Sequence, residues 1–330
     1  MSAARIAVVG AGVAGLACAQ TLRRHGLDVV VFDKSNAPGG RLATRQTDHG
    51  SFDHGAQYFT AQDPEFQGEA QHWRERGVVE RWDARVVAFT AANVEDKAGI
   101  ERYVGVPGMR SLCDHLAADL DLRLESMVNR VERDGEGWRV HVSPNPAADQ
   151  VRFDGVVVTA PSAQALELVR ASPTLSAEVA AVQWDPCWAA MLALARPSQI
   201  DFDAAFFNDD PILGWAARDS AKPGRATGLP VDERWVLHAK PRWSRQFFEM
   251  DADTAAQWLA RAFAARMRRP LLRAHLIGHR WRYATPINPL TRRFLWDGEQ
   301  RLGAAGDWCH GPRVEDAFLS GRALGAAIAG

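Results

Sequence analysis

The chain has 330 residues, 47% of them hydrophobic and 24% charged, which is the composition of a globular protein long enough for two domains. Its 39 basic and 40 acidic residues give a formal net charge of −1, so charge offers no reason to expect nucleic acid or an anionic membrane surface as a partner. Four dispersed cysteines without a CxxC pair argue against a disulfide framework or a thiolate metal site, and no apolar run approaches the roughly 20 residues that span a bilayer.

The first 33 residues have the pattern of a strand, a glycine turn, a helix and a second strand. Apolar runs at 6–9 and 29–32 are typical of buried parallel strands, and the helical periodicity of 14–25 ends at Gly26. Arg5 and the apolar residues after it resemble a signal peptide as well. Because removing them would discard the first strand of the unit, we predict a cytoplasmic protein.

The turn after the first strand reads GAGVAG and matches the Gly-x-Gly-x-x-Gly pattern of dinucleotide-binding folds. In this pattern Gly10 permits a tight turn, Gly12 leaves room for a pyrophosphate, and Gly15 lets the helix pack closely on the strand. The helix that starts at Val13 and Ala14 then directs free backbone N–H groups at the phosphates. The turn therefore predicts a dinucleotide site.

Residues after the second strand help to choose between NAD and FAD. Asp33 lies 18 residues beyond Gly15, where a carboxylate can accept both ribose hydroxyls of an adenosine, and Lys34 follows it. Gly40 lets the backbone approach the ligand, and Arg41 supplies a cation for a pyrophosphate oxygen. A plain NAD dehydrogenase does not need this second loop, so the pattern favours FAD.

The C-terminal segment also favours FAD. Asp307 and Trp308 follow a short predicted strand at 302–306, at the edge where ligands bind in open α/β sheets. We expect Asp307 to hold a ribitol hydroxyl and Trp308 to reach the edge of the isoalloxazine. A helix from Val314 would point its N-terminus at the pyrimidine edge of the flavin.

The middle of the chain contains a predicted meander, followed by a tryptophan-rich region of a different kind. Alternating segments within 128–158 predict a three-stranded antiparallel meander that contains Val131, and the buried strand after it ends at Ala160. Tryptophan-rich strand-like segments follow, with one helix at 254–267. The Pro/Gly-rich stretch 221–230 predicts a mobile surface loop.

These patterns predict an α/β protein with two discontinuous domains. The first is a doubly wound parallel-sheet FAD-binding domain of the glutathione-reductase type with a β-meander, at 1–60, 104–165 and 284–330. The second is an inserted α+β substrate domain on a mixed or antiparallel sheet, at 61–103 and 166–283.

The pieces together resemble the amine oxidase and renalase superfamily of flavoproteins, and within it the bacterial renalases. The motifs that carry the resemblance are spread over the whole chain. They are GAGVAG at 10–15, FDK at 32–34, GGR at 39–41, DHGAQYFTA at 53–61, YVGVPGM at 103–109, WDPCWA at 184–189, WVLHA at 235–239, WSR at 243–245, HRWRYA at 279–284 and GDWCHGPRVEDAFLSG at 306–321.

The resemblance implies a non-covalent FAD and oxidation of the 2- and 6-dihydro isomers of NAD(P)H to NAD(P)+, with electrons passed to O2 to give H2O2. Two departures separate the chain from true amine oxidases. Those enzymes carry a lysine near flavin N5, and the comparable segment 187–191 contains none. Arg313 occupies the position of a cage tyrosine, where a cation would repel a protonated amine and suit a substrate with phosphates.

Hydride transfer from a dihydronicotinamide needs orientation and a dry site, so we expect no catalytic acid or base. The motifs and the resemblance imply the following cofactor contacts: Gly10, Gly12, Val13, Ala14, Gly15, Asp33, Lys34, Gly40, Arg41, Gly55, Ala56, Gln57, Val131, Ala160, Asp307, Trp308 and Val314. The expected substrate contacts are Gln57, Tyr58, Phe59, Thr60, Ala61, Tyr103, Val104, Trp188, His238, Trp281, Tyr283, Trp308 and Arg313.

Some assignments have alternatives. His238 is either a hydrogen-bonded core histidine or a pocket residue. Arg102, Arg282 and Arg313 are either phosphate contacts or solvated surface charges. His275 and His279 would stand roughly 13 Å apart on a strand, too far for one metal, so we predict no metal site.

The expected partners are a small dinucleotide substrate and O2. Two other functions remain open at this point. One is an amine or other small-molecule flavin oxidase or dehydrogenase, and the other is a flavin-binding protein that has lost catalysis.

Overall fold

The computed structural model describes residues 3–144, 151–225 and 233–330. The strands, in chain order, are β1 (Arg5–Val9), β2 (Asp28–Phe32), β3 (Thr44–Thr47), β4 (Gly50–Asp53), β5 (Val79–Arg81), β6 (Val86–Phe89), β7 (Val94–Asp96), β8 (Tyr103–Gly105), β9 (Asp121–Arg123), β10 (Met127–Asp134), β11 (Gly137–Ser143), β12 (Arg152–Phe153), β13 (Gly155–Val158), β14 (Trp184–Leu194), β15 (Ala204–Phe207), β16 (Leu213–Arg218), β17 (Glu233–Ala239), β18 (Arg273–Pro286), β19 (Phe294–Asp297) and β20 (Leu302–Ala305). The helices are α1 (Val13–Arg24), α2 (Pro64–Glu75), α3 (Ser111–Ala117), α4 (Ser162–Ala165), α5 (Pro173–Ala181), α6 (Pro241–Gln246), α7 (Ala252–Met267) and α8 (Val314–Ala329).

The first sheet has the strand order β19–β20–β13–β1–β2–β9. Its strands from β20 to β9 are parallel, and β19 pairs antiparallel with β20. Successive residues of β1 face opposite sides, because Ile6 and Val8 pack with the helices while Ala7 and Val9 pack with the meander β10–β12. Both faces are covered, which explains the unbroken apolar runs and confirms the predicted parallel sheet.

Helices α1 and α8 lie against each other on the helical side of this sheet. A Cβ at Gly321 would stand 1.9 Å from the carbonyl oxygen of Ala14, and a Cβ at Gly325 would stand 2.9 Å from that of Cys18. Only glycine allows the two backbones to approach this closely. The C-terminal helix is thereby held directly beside the helix of the glycine turn.

The second sheet has the order β18–β14–β17–β16–β15–β6–β7, with antiparallel neighbours except for the parallel pair β15–β6. One face packs against α6 and α7 through residues such as Trp235 and Phe263. On the other face, Met191 and Val236 contact Phe52 of the β3–β4 hairpin. This mixed sheet confirms the mixed or antiparallel sheet predicted for the second domain. The exact domain boundaries stay a prediction.

The structure changes the interpretation of the Pro/Gly-rich stretch. Residues 226–230 lie outside the described residues. In the preceding part, Lys222 and Arg225 are only 3% and 5% exposed, so the predicted surface position is wrong for them. Their burial is explained by ion pairs that the sequence pattern does not reveal.

The predicted helix at 254–267 is α7, which begins two residues earlier, at Ala252. Its start is fixed by Asp251, whose carboxylate accepts from the Thr254 N–H. Among the helices of the described residues, none has the length and apolar content to cross a membrane.

Candidate functional site

The glycine turn leaves an open space in front of the α1 N-terminus. Gly10 has φ +112°, and a Cβ at Gly15 would lie 1.9 Å from the carbonyl oxygen of Gly10, so both positions require glycine. A Cβ at Gly12 would meet no atom within 4 Å. Because Gly12 caps α1 without a side-chain hydrogen bond, the N–H groups at Val13 and beyond face this space. The residues present fit a phosphate group there.

Asp33 is held beside the same turn. One carboxylate oxygen accepts from the Ala11 N–H at 2.7 Å and the other from the Ser35 N–H at 2.8 Å. The acid predicted to bind the ribose therefore stands next to the predicted phosphate position. Lys34 is exposed.

The second loop and the C-terminal aspartate meet beside the space in front of the α1 N-terminus, which we call the cofactor groove. Arg41 forms a two-pronged ion pair with Asp307, with both N–O distances 2.6 Å, and its Nη1 also donates to the Ala284 carbonyl at 3.1 Å. The Gly39 N–H donates to the Ala11 carbonyl at 2.9 Å, and a Cβ at Gly40 would lie 3.6 Å from Gly12 Cα. Three distant stretches of the chain thus converge.

The pairing modifies the sequence assignment, which gave Arg41 and Asp307 separate ligand contacts. Burial opposes the charge on Arg41, but the Asp307 carboxylate raises the guanidinium pKa. Arg41 also lies over the Trp184 ring, 5.1 Å from its centroid. The ion pair fixes the orientation of both groups before any ligand contact.

Trp308, which was predicted to reach the edge of the flavin, is a core residue in the structure. Its side chain is fully buried with the meander residues, and its indole Nε1 donates to the Ala160 carbonyl at 3.2 Å. Val131 packs against the same cluster. The structure gives Trp308 a core contact, with no exposed surface for a substrate.

The segment 53–57, hereafter the 53–57 turn, lies against the Arg41 loop. The Ala56 N–H donates to the Arg41 carbonyl at 2.8 Å. A Cβ at Gly55 would lie 2.0 Å from that oxygen and 3.2 Å from the Trp281 ring. The turn therefore borders the groove through its backbone, while the Gln57 side chain is occupied by donation to the Asp53 and Gly55 carbonyls.

Two residues of the second sheet hold this turn through the His54 carbonyl. The Trp281 Nε1 donates to it at 2.9 Å, and His238 Nε2 lies 3.1 Å from it. Burial lowers the pKa of His238 to about 4, so its ring is neutral near pH 7. Of the two interpretations of His238, the hydrogen-bonded one describes its contacts.

Strand register shows which residues face this side of the second sheet. Cys187 pairs with Trp281, and Ala189 pairs with both His279 and His238, so these side chains share the face toward the turn.

Trp188 points to the opposite face, where its Nε1 donates to the Phe247 carbonyl, so it does not line the predicted wall. Arg282 lies over Phe248, with its guanidinium carbon 4.7 Å from the ring centroid, and Arg280 beside it contacts the same ring. Tyr283 makes an edge contact with Trp184.

An aromatic cluster beyond the 53–57 turn was not identified from the sequence. The ring centroid of Tyr58 lies 5.6 Å from Trp215 and 6.4 Å from Trp82, and Phe206 lies 4.5 Å from Trp215. Trp215 is 7% exposed, and its Nε1 has no hydrogen-bond partner among the described residues. We call Tyr58, Trp215 and Phe206 the aromatic cluster. Local alternation along β16 does not identify the face that Trp215 occupies, which is set by its register opposite His238 on β17.

The other predicted substrate residues between Phe59 and Val104 differ in their burial. Phe59 is core, stacked on Tyr103 with centroids 5.6 Å apart, and Val104 is fully buried. Thr60 and Ala61 are partly buried and continue toward α2.

Two of the three arginines considered as phosphate contacts, Arg102 and Arg313, already have protein partners. Arg102 is buried, donates to the carbonyls of Lys97 and Ile100, and stands 5.3 Å from the Tyr58 centroid. Arg313 pairs with Asp316 at 3.0 Å while its side chain stays 45% exposed, so its contact with a substrate phosphate stays a prediction.

Two protein families match the chain. The NAD(P)-binding Rossmann-like domain matches residues 8–73, and the flavin-containing amine oxidoreductase family matches residues 77–193. The first match contains the glycine turn and the Arg41 loop, and the second reaches into β14.

Solved structures share the fold over nearly the whole chain. A provisionally named protoporphyrinogen oxidase from Exiguobacterium sp. 255-15 superposes with a TM-score of 0.78 at 13% identity, covering 100% of this chain and 99% of that one. Cyclohexylamine oxidase from Brevibacterium oxydans superposes with a TM-score of 0.72 at 13% identity, covering 99% of each. These likenesses establish the fold.

Curated relatives match over shorter stretches. A bifunctional tRNA 5-methylaminomethyl-2-thiouridine biosynthesis protein from Magnetococcus marinus is 28% identical over 47% of this chain and 29% of its own length. Mitochondrial protoporphyrinogen oxidase from Nicotiana tabacum is 48% identical over 18% of this chain and 12% of its own length. The chain thus spans less than a third of either relative. The family matches and the converging groove agree on FAD as the cofactor.

Proposed function

We propose that this chain, an FAD-dependent oxidoreductase of the flavin amine oxidase superfamily, oxidises 2- and 6-dihydro isomers of NAD(P)H to NAD(P)+. In this reaction the dihydronicotinamide loses a hydride, and O2 takes up the two electrons with two protons to give H2O2. Bound FAD supplies the acceptor for the hydride and returns the electrons to oxygen. The motifs in which the chain resembles bacterial renalases are spread over its whole length, and this resemblance supports the proposal.

The aromatic cluster is the structural observation that carries the proposal. Tyr58 and Phe206 are partly exposed and present apolar ring surface that suits a planar nicotinamide, and Trp215, 7% exposed, packs against both of them. The unpartnered Trp215 Nε1 is a buried donor, and leaving such a donor unsatisfied costs about 1–3 kcal/mol. A carboxamide oxygen on the substrate ring would supply the missing acceptor.

The side chains on this face suit hydride loss better than proton removal. His238 is neutral because burial lowers its pKa to about 4, and burial raises the pKa of the Cys187 thiol to about 12. Ala189, two residues after Cys187 on β14, pairs with His238 on β17. Oxidation of a dihydronicotinamide removes no proton from carbon, since aromatisation drives hydride departure. These residues therefore need only orient the ring and exclude water.

The main alternative is oxidation of an amine or another small molecule. The amine oxidases place a lysine near flavin N5 on the strand comparable to β14, and the residues of β14 that face the turn include Cys187, Ala189 and Met191. In addition, the buried Arg102 guanidinium beside Tyr58 disfavours a second cation next to the aromatic cluster. Both features favour the dinucleotide substrate.

Anaerobic reduction of the bound flavin tests the proposal. The FAD-loaded protein is mixed without oxygen with borohydride-reduced NAD isomers and, separately, with a panel of primary and secondary amines. We expect rapid bleaching by the dihydro isomers and none by amines. Bleaching by amines alone would replace the proposal with the alternative, and failure of every donor would indicate a flavin-binding protein without catalysis.

A further inference from the structure

Four charged side chains are completely buried where the segment after β16 meets the β3–β4 hairpin. Asp53 ends β4, and Asp219, Lys222 and Arg225 belong to the segment between β16 and β17. Lys222 Nζ lies 2.8 Å from Asp219 Oδ1 and 3.3 Å from Asp53 Oδ2, and Arg225 donates to the same Asp53 oxygen. We call these four residues the buried tetrad. Each charge is strongly unfavourable in the interior unless its partners are in place.

The charges of the buried tetrad balance in pairs. Burial opposes ionisation of Asp53, but Lys222 and Arg225 lower its pKa to about 2. Burial raises the pKa of Asp219, whose Oδ2 has no hydrogen-bond partner in the part of the chain that the structure describes. Lys222 contacts both carboxylates, so it holds the two halves of the tetrad together.

Lys222 also has a third acceptor, which lies outside the tetrad. Its Nζ stands 3.3 Å from Gln57 Oε1, and the Gln57 Nε2 donates to the carbonyls of Asp53 and Gly55. This arrangement fixes which end of the Gln57 amide faces the lysine, because only the oxygen can accept from an ammonium. The amide then closes the 53–57 turn from inside.

The closed turn borders the cofactor groove directly. Ala56 donates to the Arg41 carbonyl at 2.8 Å, and Arg41 is the residue paired with Asp307. Thus a chain of contacts leads from Lys222 through Gln57 and the turn to Arg41. It joins a segment of the second sheet to the groove of the first.

We propose that Lys222 is a positioning residue for FAD, acting through Gln57 to fix the backbone of the 53–57 turn against the cofactor. The ion pairs of the buried tetrad hold Lys222 in place for this role. The inference rests on FAD as the cofactor. It is independent of which substrate the protein oxidises.

Equilibrium binding of FAD to the full-length apoprotein tests the proposal. Lys222→Met removes the ammonium but leaves a buried carboxylate in excess. The double variant K222M/D219N removes one charge of each sign and keeps the balance. Gln57→Leu removes only the amide link, and Lys97→Met, at a lysine paired with Glu95 on the surface, is the control.

We expect FAD to bind about tenfold more weakly to K222M, K222M/D219N and Q57L, which corresponds to about 1.4 kcal/mol. The visible absorption bands of the bound flavin should also shift in these three variants. K97M should match the unaltered protein in both measurements.

A purely structural tetrad would give a different pattern, because restoring charge balance in K222M/D219N would restore FAD binding. Unaltered FAD affinity and spectrum in either K222M/D219N or Q57L would overturn the proposal. If K222M fails to fold, K222M/D219N and Q57L still test the proposal.

Discussion

Arg41 and Asp307, 266 positions apart in the chain, form a two-pronged ion pair with both N–O distances 2.6 Å. The pair joins the loop after the second strand to the end of the last parallel strand. Asp307 is 4% exposed, and Arg41 supplies the cation that compensates this buried carboxylate. The ion pair closes one side of the groove that begins at Gly12.

Loss of this ion pair should weaken FAD binding and the fold together. Arg41→Met leaves the buried Asp307 carboxylate without its cation, at a cost of about 1–3 kcal/mol in the free energy of unfolding. Urea unfolding of the apoprotein and FAD titration measure the two effects. Arg170→Met, at an exposed arginine paired with Glu167, should change neither quantity, and an unaltered FAD affinity in R41M would contradict the account.

Two glycines in the turn should respond in opposite ways to alanine. Gly12→Ala adds a Cβ that meets no protein atom within 4 Å, so apoprotein stability should hold while FAD affinity falls by about tenfold or more. Gly15→Ala forces its Cβ against the Gly10 carbonyl and should destabilise the apoprotein itself. Thermal unfolding with and without FAD separates the effects. Full FAD affinity in G12A would show that phosphate does not occupy this space.

Trp215→Phe should raise KM for the dihydro isomers and leave kcat nearly unchanged. The variant keeps an aromatic ring but loses the unpartnered Nε1–H, and one hydrogen bond is worth about 0.5–1.5 kcal/mol, up to about tenfold in KM. Steady-state oxygen consumption measures both constants. The matched control is Trp258→Phe at a 46% exposed tryptophan on α7. Equal constants for W215F and the unaltered protein would remove Trp215 from substrate binding.

Acidification should destabilise the packing of the 53–57 turn. Burial lowers the pKa of His54 to about 3 and that of His238 to about 4, below the usual 6.5. The unfolded chain therefore binds protons that the folded chain does not, and stability falls as pH drops below about 6.5. Two such histidines would cost about 4 kcal/mol in the free energy of unfolding between pH 7 and pH 5.

Urea unfolding across this pH range measures the slope, and His238→Gln should reduce it. The carboxylate of Asp53 does not contribute in this window, because Lys222 and Arg225 hold its pKa at about 2 against the effect of burial. A flat stability between pH 7 and pH 5 would show that the two histidines are not buried in the neutral form.

Sequence reasoning predicted the elements whose signal is local. Strands β1 and β13 and helix α1 follow from apolar runs and glycines within a few positions, and their observed ends lie within two residues of the predicted ones. The face of a strand on which a side chain lies is not given by a local signal. Trp188 and Trp215 both alternate with small residues, but only the register with neighbouring strands decides which of them faces the turn.

The buried tetrad could not be predicted for a related reason. Asp53 and Lys222 are 169 positions apart, and each alone has the appearance of an ordinary surface charge. The proline and glycine residues around Lys222 favour a loop, and a loop is by default exposed. Burial here depends on a partner from another segment, which no local pattern reports.

A single-turnover experiment without oxygen tests the central claim most directly. Equal amounts of FAD-loaded protein and purified 6-dihydro-NAD are mixed, and flavin absorbance and NAD+ are measured together. The account predicts bleaching of the flavin with one NAD+ formed per flavin reduced. A flavin that stays oxidised with this donor and with the 2-dihydro isomer, yet is bleached by dithionite, would contradict it.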